Sequence, residues 1–324
     1  MKFWRLIPIL LLSFSLSAEG EDAGFAGLEI SYGYNRRLIA QRPVPKGDFK
    51  KLVIPVKRVG NLIIVEATVD GIRGNFIFDT GAPYLVLNAT YFRDYEEDNQ
   101  HMATDVNGNV VPQKITKVER LKVLGMHYEN LEADVSDLSA IENRRGIQIL
   151  GLLGVNLFMR MEIELDMRNE QLIVYRVDRE GRRLEAPYLA TEKEFRKTFS
   201  LENNAIIAQG SIDSLALDLC FDTGAEALLL DNDLPAKAYE QMRITRTIEL
   251  NGAGGSSAEV LVGAIRKLEF GPDLENCQIM IADLEEIGRA YGHPVDGFVG
   301  YDLLRKGSVC INFKTQELII NVYP

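Results

Sequence analysis

An internal duplication limits the possible folds of this chain more than any other feature. The same pattern occurs twice, as NLIIVEATVDGIRGNFIFDTGA from Asn61 and as NAIIAQGSIDSLALDLCFDTGA from Asn204. The two copies align without a gap at an offset of 143 residues, which places Asp79 over Asp222. A period of this length is far too long for a solenoid repeat, so the sequence indicates two similar lobes.

The duplication continues after these segments. Each copy is followed by an Asn-Gly pair, Asn107-Gly108 and Asn251-Gly252, of the kind that closes a tight hairpin. Further on, LLGVNLFMRMEIELDMRNEQLIVY matches FVGYDLLRKGSVCINFKTQELIIN, with Gly154 over Gly300. The offset between the two copies grows slightly along the chain, which requires only a few inserted residues.

The alternation of apolar and polar residues in both copies is typical of strands, with turns expected after Asp70 and Asp213. Short helices are expected in DLSAIENRRG, DLEEIGRAYG, VNLFMR and YDLLRK. We therefore predict a fold of the all-β class, mostly β with short helices, built from two duplicated lobes. The first lobe would span 50–178 and the second 196–324, joined by a charged linker at 179–195.

The N-terminus has the composition of a secretory signal peptide, which we place at 1–18. Lys2 and Arg5 precede the short apolar run Leu6–Leu16, and small residues follow it. The alternative is an uncleaved anchor, although the run is short for a transmembrane helix. The protein is therefore expected to be exported, either periplasmic or secreted, without stable membrane insertion after cleavage.

Residues 19–49 have no counterpart in the second lobe. Three interpretations are open for this N-terminal extension: a removable pro-segment, a strand that ties the lobes together, or a surface extension.

Composition argues against several classes of function. Loss of the two basic residues of the signal peptide would change the formal net charge from −11 to −13, which disfavours binding to nucleic acid. The three histidines are scattered and no His or Cys spacing resembles a zinc site, so we expect neither a metal nor a cofactor. Three cysteines leave at least one free thiol; Cys277 and Cys310 either pair or pack as buried thiols.

The two Asp-Thr-Gly-Ala motifs indicate the chemistry. A single Asp-Thr-Gly tripeptide would be read as an ordinary turn. Here, however, both copies end an apolar strand, and they occupy equivalent positions of the two repeats. Two carboxylates held a few ångströms apart share one proton, because both cannot ionise cheaply. One then serves as general base on a water while the other donates a proton to the scissile carbonyl oxygen. Asp79 and Asp222 are the candidate catalytic residues.

At these motifs the chain resembles aspartic peptidases of the pepsin and retropepsin superfamily. FDTGA followed by LLGVNLF or FVGYDLL is similar to the retropepsin pattern in particular. The resemblance implies two acid-protease β-barrels with a cleft between them, and one chain that supplies what a retroviral enzyme assembles from two subunits. A monomer would then suffice for activity, and the partner would be a peptide or protein substrate.

The resemblance also implies roles for the neighbouring residues. Four would support the dyad, and two hairpins would form flaps over the cleft. The supporting residues are Thr80, Gly81, Thr223 and Gly224; the flap candidates are Asn107, Gly108, Asn251, Gly252, Gly254 and Gly255. The alternative for each hairpin is a plain surface turn.

The chain departs from the family pattern at several positions. Val155 and Tyr301 occur where retroviral enzymes usually carry Arg, and 101–113 contains no flap Tyr of the pepsin type. DTGAP in the first lobe becomes DTGAE in the second, so we expect an asymmetric cleft.

The leading hypothesis is an exported aspartic endopeptidase. The alternatives are a catalytically silent peptide-binding module and a processing protease of narrow specificity. Both Asp-Thr-Gly loops are intact, which favours an enzyme over a binding module.

Overall fold

The structure is a computed structural model that describes residues 36–93, 95, 102–104, 110–112, 114–185, 192–251 and 257–324. Within these residues the chain is mostly β, as the sequence predicts, and its helices are all short. The predicted turns after strands are present, because both Asp70 and Asp213 adopt positive φ, at 47° and 52°. Aspartate tolerates this region better than most residues, which explains its presence at both turns.

Twenty-two strands lie in the described part of the chain. They are β1 Lys51–Val59, β2 Leu62–Val69, β3 Ile72–Phe78, β4 Val86–Asn88, β5 Met102–Thr104, β6 Val110–Pro112, β7 Ile115–Val123, β8 Met126–Ser136, β9 Gly151–Leu153, β10 Met161–Asp166, β11 Gln171–Arg176, β12 Glu194–Thr198, β13 Ser200–Glu202, β14 Ala205–Ile212, β15 Leu215–Phe221, β16 Leu228–Asp231, β17 Met242–Asn251, β18 Ser257–Glu269, β19 Asp273–Ala282, β20 Gly297–Val299, β21 Gly307–Asn312 and β22 Glu317–Val322.

Six short helices accompany the strands in the same part of the chain, together with one 3-10 turn at Val155–Leu157. They are α1 Arg36–Ala40, α2 Ala89–Phe92, α3 Ser139–Arg145, α4 Ala236–Tyr239, α5 Glu285–Tyr291 and α6 Tyr301–Leu304. The segments DLSAIENRRG, DLEEIGRAYG and YDLLRK contain α3, α5 and α6, so these three helix predictions are confirmed. The segment VNLFMR contains only the 3-10 turn.

The first lobe is a closed barrel of six strands. Its order is β2-β3-β9-β4-β8-β7, and pairing of Thr68 with Lys122 returns β7 to β2. Apolar side chains on the inner faces of the strands form its core. Phe78 and Phe158 meet edge to face there, with ring centroids 5.1 Å apart.

The second lobe repeats this barrel. Its order is β14-β15-β20-β16-β19-β18, and pairing of Ser211 with Glu269 closes it. Each strand occupies the place of its counterpart in the first lobe: β15 and β20 run parallel, as β3 and β9 do. The duplication in the sequence is therefore a duplication of the barrel, and the predicted fold class is confirmed.

A six-stranded antiparallel sheet joins the two lobes. Its order is β1-β11-β10-β21-β22-β12, and the lobes meet where Ile163 of β10 pairs with Ile311 of β21. The linker is tied to this sheet. Arg183 donates from Nε to Glu162 Oε1 at 2.6 Å, and Asn312 of the second lobe donates to Glu162 Oε2 at 2.7 Å. One buried carboxylate thus connects the linker and both lobes.

The described part of the N-terminal extension packs on the first lobe. Leu38 of α1 is fully buried in an apolar cluster that includes Ala82 and Tyr84. Gln41 then exchanges side-chain hydrogen bonds with the backbone of Glu132 at 3.3 and 3.4 Å. The predicted segment boundaries, including 19–49, remain predictions, but the residues from Leu38 onward are part of the packed lobe.

All three cysteines are buried free thiols, Cys220, Cys277 and Cys310. Of the two alternatives for Cys277 and Cys310, the structure therefore has the buried thiols. Burial raises the pKa of Cys277 to about 11 and that of Cys220 well above its usual range. Among the described residues, the helices are too short and too polar to cross a bilayer.

Candidate active site

The two Asp-Thr-Gly-Ala motifs meet between the barrels. Asp79 directly follows β3, and Asp222 directly follows β15. Both strands are central in their barrels, because each pairs with a neighbour on either side. The two aspartates are 1% and 0% exposed, so their carboxyls lie in a site from which bulk water is largely excluded.

The two threonines hold the loops together through reciprocal hydrogen bonds. The amide of Thr80 donates to Thr223 Oγ1 at 3.0 Å, and the amide of Thr223 donates to Thr80 Oγ1 at 3.0 Å. Each hydroxyl then donates across the interface to the carbonyl of Phe221 or Phe78, at 3.0 and 2.9 Å. Four buried bonds therefore fix the position of one Asp loop relative to the other.

Backbone amides orient the carboxyls. Gly81 donates to Asp79 Oδ1 at 2.8 Å and also to Asp222 Oδ1 at 3.1 Å, so one amide contacts both acids. Gly224 donates to Asp222 Oδ1 at 2.7 Å, and Ala82 donates to Asp79 Oδ1 at 3.2 Å. A β-carbon on Gly81 would lie 2.5 Å from Asp222 Oδ2, so this close approach requires glycine.

The electrostatics fit a shared proton. Burial raises the pKa of Asp222 well above its usual range, and the charge of Asp79 raises it further. Burial also raises the pKa of Asp79, while hydrogen bonds from Asp222 and from the Gly81 and Ala82 amides partly offset this. In each carboxyl the Oδ2 atom is buried without a hydrogen-bond partner in the protein. One oxygen of each acid is thus left for a water or a substrate.

The raised pKa values predict how stability depends on pH. A raised pKa in the folded state stabilises the fold only where the acids are protonated, so this contribution is lost as the pH rises from about 4 upward. Replacement of Asp222 by Asn removes one buried ionisation. We expect Asp222→Asn to gain free energy of unfolding relative to the unmodified chain as the pH increases from 4 to 8.

Urea unfolding at several pH values measures this difference. The variant of the exposed Asp233, Asp233→Asn, is the control and should follow the unmodified chain at each pH. A difference between Asp222→Asn and the unmodified chain that stays constant or shrinks with pH contradicts the prediction.

The site is asymmetric, as the sequence predicts from DTGAP and DTGAE. Glu226 is buried and forms an ion pair with Arg145 of α3, across the interface between the lobes. The other Glu226 oxygen, Oε2, accepts from the amide of Asn61 at 3.0 Å. Burial raises the pKa of Glu226, and Arg145 partly offsets the shift. At the equivalent position of the first lobe, Pro83 offers no carboxylate.

The ion pair predicts a large effect on stability. The side chains of Arg145 and Glu226 are only 7% and 1% exposed. Removal of one partner leaves a buried charge, so Arg145→Met should lower the free energy of unfolding by about 3 kcal/mol or more. The double variant Arg145→Met, Glu226→Gln should recover a large part of this loss. Additive losses in urea unfolding, with no recovery, contradict a coupled buried pair.

In the sequence, the flap candidates lie between β5 and β6 and at or after the end of β17. Strands β5 and β6 pair with each other, as do β17 and β18, with Asn251 at the end of β17 paired to Ser257. The other flap candidates, Asn107, Gly108, Gly252, Gly254 and Gly255, lie outside the described residues. Their role as flaps remains a prediction. In the part of the chain that the structure describes, no group of acidic, His and Cys side chains is suited to hold a metal ion.

Comparison with known proteins gives the family. The Aspartyl protease family matches the chain twice, at residues 65–157 and 208–303, and each match lies in one of the two barrels. The chain therefore belongs to the aspartyl proteases. One similar solved structure is a retropepsin-like aspartic protease from Rickettsia conorii, with 18% identity and a TM-score of 0.28. The match covers 42% of this chain and 96% of that one. No curated protein matches the chain.

The structure brings together all six sequence-predicted dyad and supporting residues. It adds residues that sequence reasoning missed, chiefly Arg145, Glu226 and the bonds made by Asn61 and Asn204. The aligned asparagines and the change from Pro83 to Glu226 were visible as sequence signals. Nothing in the sequence indicated that Arg145 crosses to the other lobe.

Proposed function

We propose that this protein is an exported aspartic endopeptidase that hydrolyses peptide bonds with a water activated by Asp79 and Asp222. The observation that carries the proposal is the shared Gly81 amide, which contacts one oxygen of each carboxyl within a loop pair fixed by reciprocal threonine bonds. An arrangement that holds two buried acids this close has a high energetic cost unless they share a proton.

The reaction uses the two free oxygens of the pair. One carboxylate takes a proton from water while the water oxygen forms a bond to the scissile carbonyl carbon. The other carboxyl gives its proton to the carbonyl oxygen, which yields a neutral tetrahedral diol. The protonated acid then gives its proton to the nitrogen as the C–N bond breaks, and one diol hydroxyl gives its proton to the other carboxylate as the C=O bond of the product acid forms, so the dyad again holds one proton. All atoms come from the peptide and one water.

The surroundings support substrate binding between the lobes. The hairpins β5–β6 and β17–β18 flank the aligned Asn-Gly pairs of the two lobes, so a peptide in the cleft would meet one hairpin from each lobe. Extended peptides gain backbone hydrogen bonds from such strands, and hairpin closure excludes water. We propose the two hairpin tips as flaps and an extended peptide as the substrate.

Two further parts of the proposal concern the protein in the cell. The sequence of residues 1–18 supports export by a cleaved signal peptide, and the single-chain arrangement of both Asp loops supports activity as a monomer. The N-terminal sequence of protein recovered outside the cytoplasm tests the first part. Activity in the monomer fraction, with the mass measured by light scattering, tests the second.

Digestion of a diverse peptide library tests the activity. The chain lacking residues 1–18 is incubated from pH 3 to 8 beside Asp79→Asn, Asp222→Asn and the control Asp233→Asn. The proposal expects cleavage by the unmodified chain and the control, and none by either dyad variant. Tight peptide binding without cleavage at any pH would instead identify a binding module. Cleavage of only one or very few peptides would identify a processing protease.

A further inference from the structure

Two asparagines occupy equivalent places in the lobes and make equivalent contacts. Asn61 precedes β2 and Asn204 precedes β14. Asn61 Nδ2 donates to the carbonyl of Glu226 at 3.0 Å, and Asn204 Nδ2 donates to the carbonyl of Pro83 at 3.0 Å. Each bond crosses the interface and ends at the residue that directly follows the Asp-Thr-Gly-Ala of the opposite lobe. Each lobe thus holds the catalytic loop of the other.

The second bond of each asparagine differs between the lobes. The backbone amide of Asn61 donates to Glu226 Oε2, and the other oxygen of that carboxylate binds Arg145. Pro83 has no such group. Instead, Asn204 Nδ2 makes a second bond to the carbonyl of Ile39 in α1, at 3.1 Å. Asn204 itself is 3% exposed, so both of its bonds are shielded from water.

The N-terminal segment therefore supplies the second partner of Asn204, as the Glu226 carboxylate supplies the second partner of Asn61. In α1, Leu38 is fully buried against the first lobe and anchors the segment, while Ile39 offers its carbonyl to the second lobe. Both Asp loops are held at the same residue by an asparagine of the opposite lobe. One loop has the additional support of Arg145 and Glu226, and the other has the additional support of α1.

We propose that Asn61 and Asn204 are positioning residues for the hydrolysis, acting through the Asp loops, and that α1 completes the support of the Asp79 loop. This inference rests on the proposed function. Small errors in the position of a catalytic group have large effects on rate, because the reacting atoms must be aligned. Loss of either asparagine bond should therefore change the rate of the chemical step more than substrate binding.

The turn that contains Asn204 offers a matched control. Asn203 and Asn204 both adopt positive φ, at 46° and 75°, so glycine fits either position without backbone strain. Asn203 Nδ2 donates to the carbonyl of Ala290 at 3.0 Å, a bond that stays within the second lobe. The pair Asn204→Gly and Asn203→Gly thus removes one cross-lobe and one local side chain from the same turn.

Kinetics of a cleaved peptide test the inference. We expect Asn204→Gly to lower kcat roughly 10- to 100-fold with KM within about twofold, and to move the alkaline limb of the kcat/KM profile to lower pH. The limb moves because a more distant Asp79 raises the pKa of Asp222 less. Asn203→Gly should leave both kcat and the pH of the alkaline limb unchanged. If Asn204→Gly does not fold, Asn61→Ala serves instead, because it loses the equivalent bond to the Glu226 carbonyl at a position without positive φ.

A measurement without catalysis separates this inference from the proposed function. The pH dependence of the free energy of unfolding between pH 4 and 8 should be shallower in Asn204→Gly than in Asn203→Gly. If the unmodified chain cleaves no peptide but this difference appears, the proposed function fails and the positioning of the carboxyls stands. The positioning role is wrong if the chain cleaves peptides and the two glycine variants agree in three measurements. These are kcat, the alkaline limb of the kcat/KM profile and the pH dependence of the free energy of unfolding.

Discussion

Peptide hydrolysis is expected to fall at least about 10³-fold in kcat when either Asp79 or Asp222 is replaced by Asn. An amide is isosteric with the carboxyl but can neither take the proton of a water nor hold the shared proton. The Gly81 amide contacts both acids. In Asp79→Asn the remaining Asp222 also loses the charge that raises its pKa. The double variant should be hardly worse than either single one, because the dyad acts as a unit.

The comparison requires that the variants remain folded. Circular dichroism and urea unfolding should give both Asn variants the fold of the unmodified chain, with equal or greater stability at neutral pH. Asp302 provides a further control, since it is also a buried acid of the second lobe but its partner is Arg305 at 3.1 Å. If Asp302→Asn lost as much kcat as Asp222→Asn while still folded, general damage to the lobe would explain both.

Gly300→Ala is expected to lower the free energy of unfolding by about 3 kcal/mol or more, as a severe case of overpacking. A β-carbon at Gly300 would lie 2.1 Å from the carbonyl oxygen of Asp222 and 2.4 Å from that of Ala225. Both are backbone atoms of the catalytic loop, so the clash cannot be relieved by rotation of a side chain. Any molecules that still fold should have a displaced Asp222 and little activity.

Gly125→Ala is the matched control for this substitution. Its β-carbon would approach the Leu52 Cδ2 atom at 3.1 Å, and the end of that side chain can move. We expect a change of less than about 0.5 kcal/mol, as for other exposed positions. Urea unfolding of the two variants measures both effects. Equal small losses would show that Gly300 does not pack closely against the carbonyls of Asp222 and Ala225.

Much of the fold could be predicted from the sequence because most strand and turn patterns occur once in each repeat. The turns at Asp70 and Asp213, the strands before each Asp loop and the helices α3, α5 and α6 follow from local patterns. Closure of each barrel depends on distant pairings such as Ser211 with Glu269, which local patterns do not encode. The barrels were therefore predicted through the resemblance, and the six-stranded sheet between the lobes was not predicted.

The same division holds for the candidate site. Asp79, Asp222 and their Thr-Gly neighbours were evident because the residues that carry the chemistry are adjacent in sequence. The Arg145–Glu226 ion pair was not, because its partners lie 81 residues apart on different lobes. The place of α1 beside the Asp79 loop was also beyond the sequence, since no repeat of that segment exists in the second lobe. Contacts between the lobes are set by the docking of the barrels.

The pH profile of kcat/KM for one cleaved peptide tests the shared dyad most directly. Two acids that share one proton predict a bell-shaped profile with two apparent pKa values that belong to the pair. Asp79→Asn and Asp222→Asn should both eliminate activity across the whole range, while Asp233→Asn keeps the bell. A pH profile with a single limb would contradict hydrolysis by Asp79 and Asp222. Activity that persists in either Asn variant would contradict it as well.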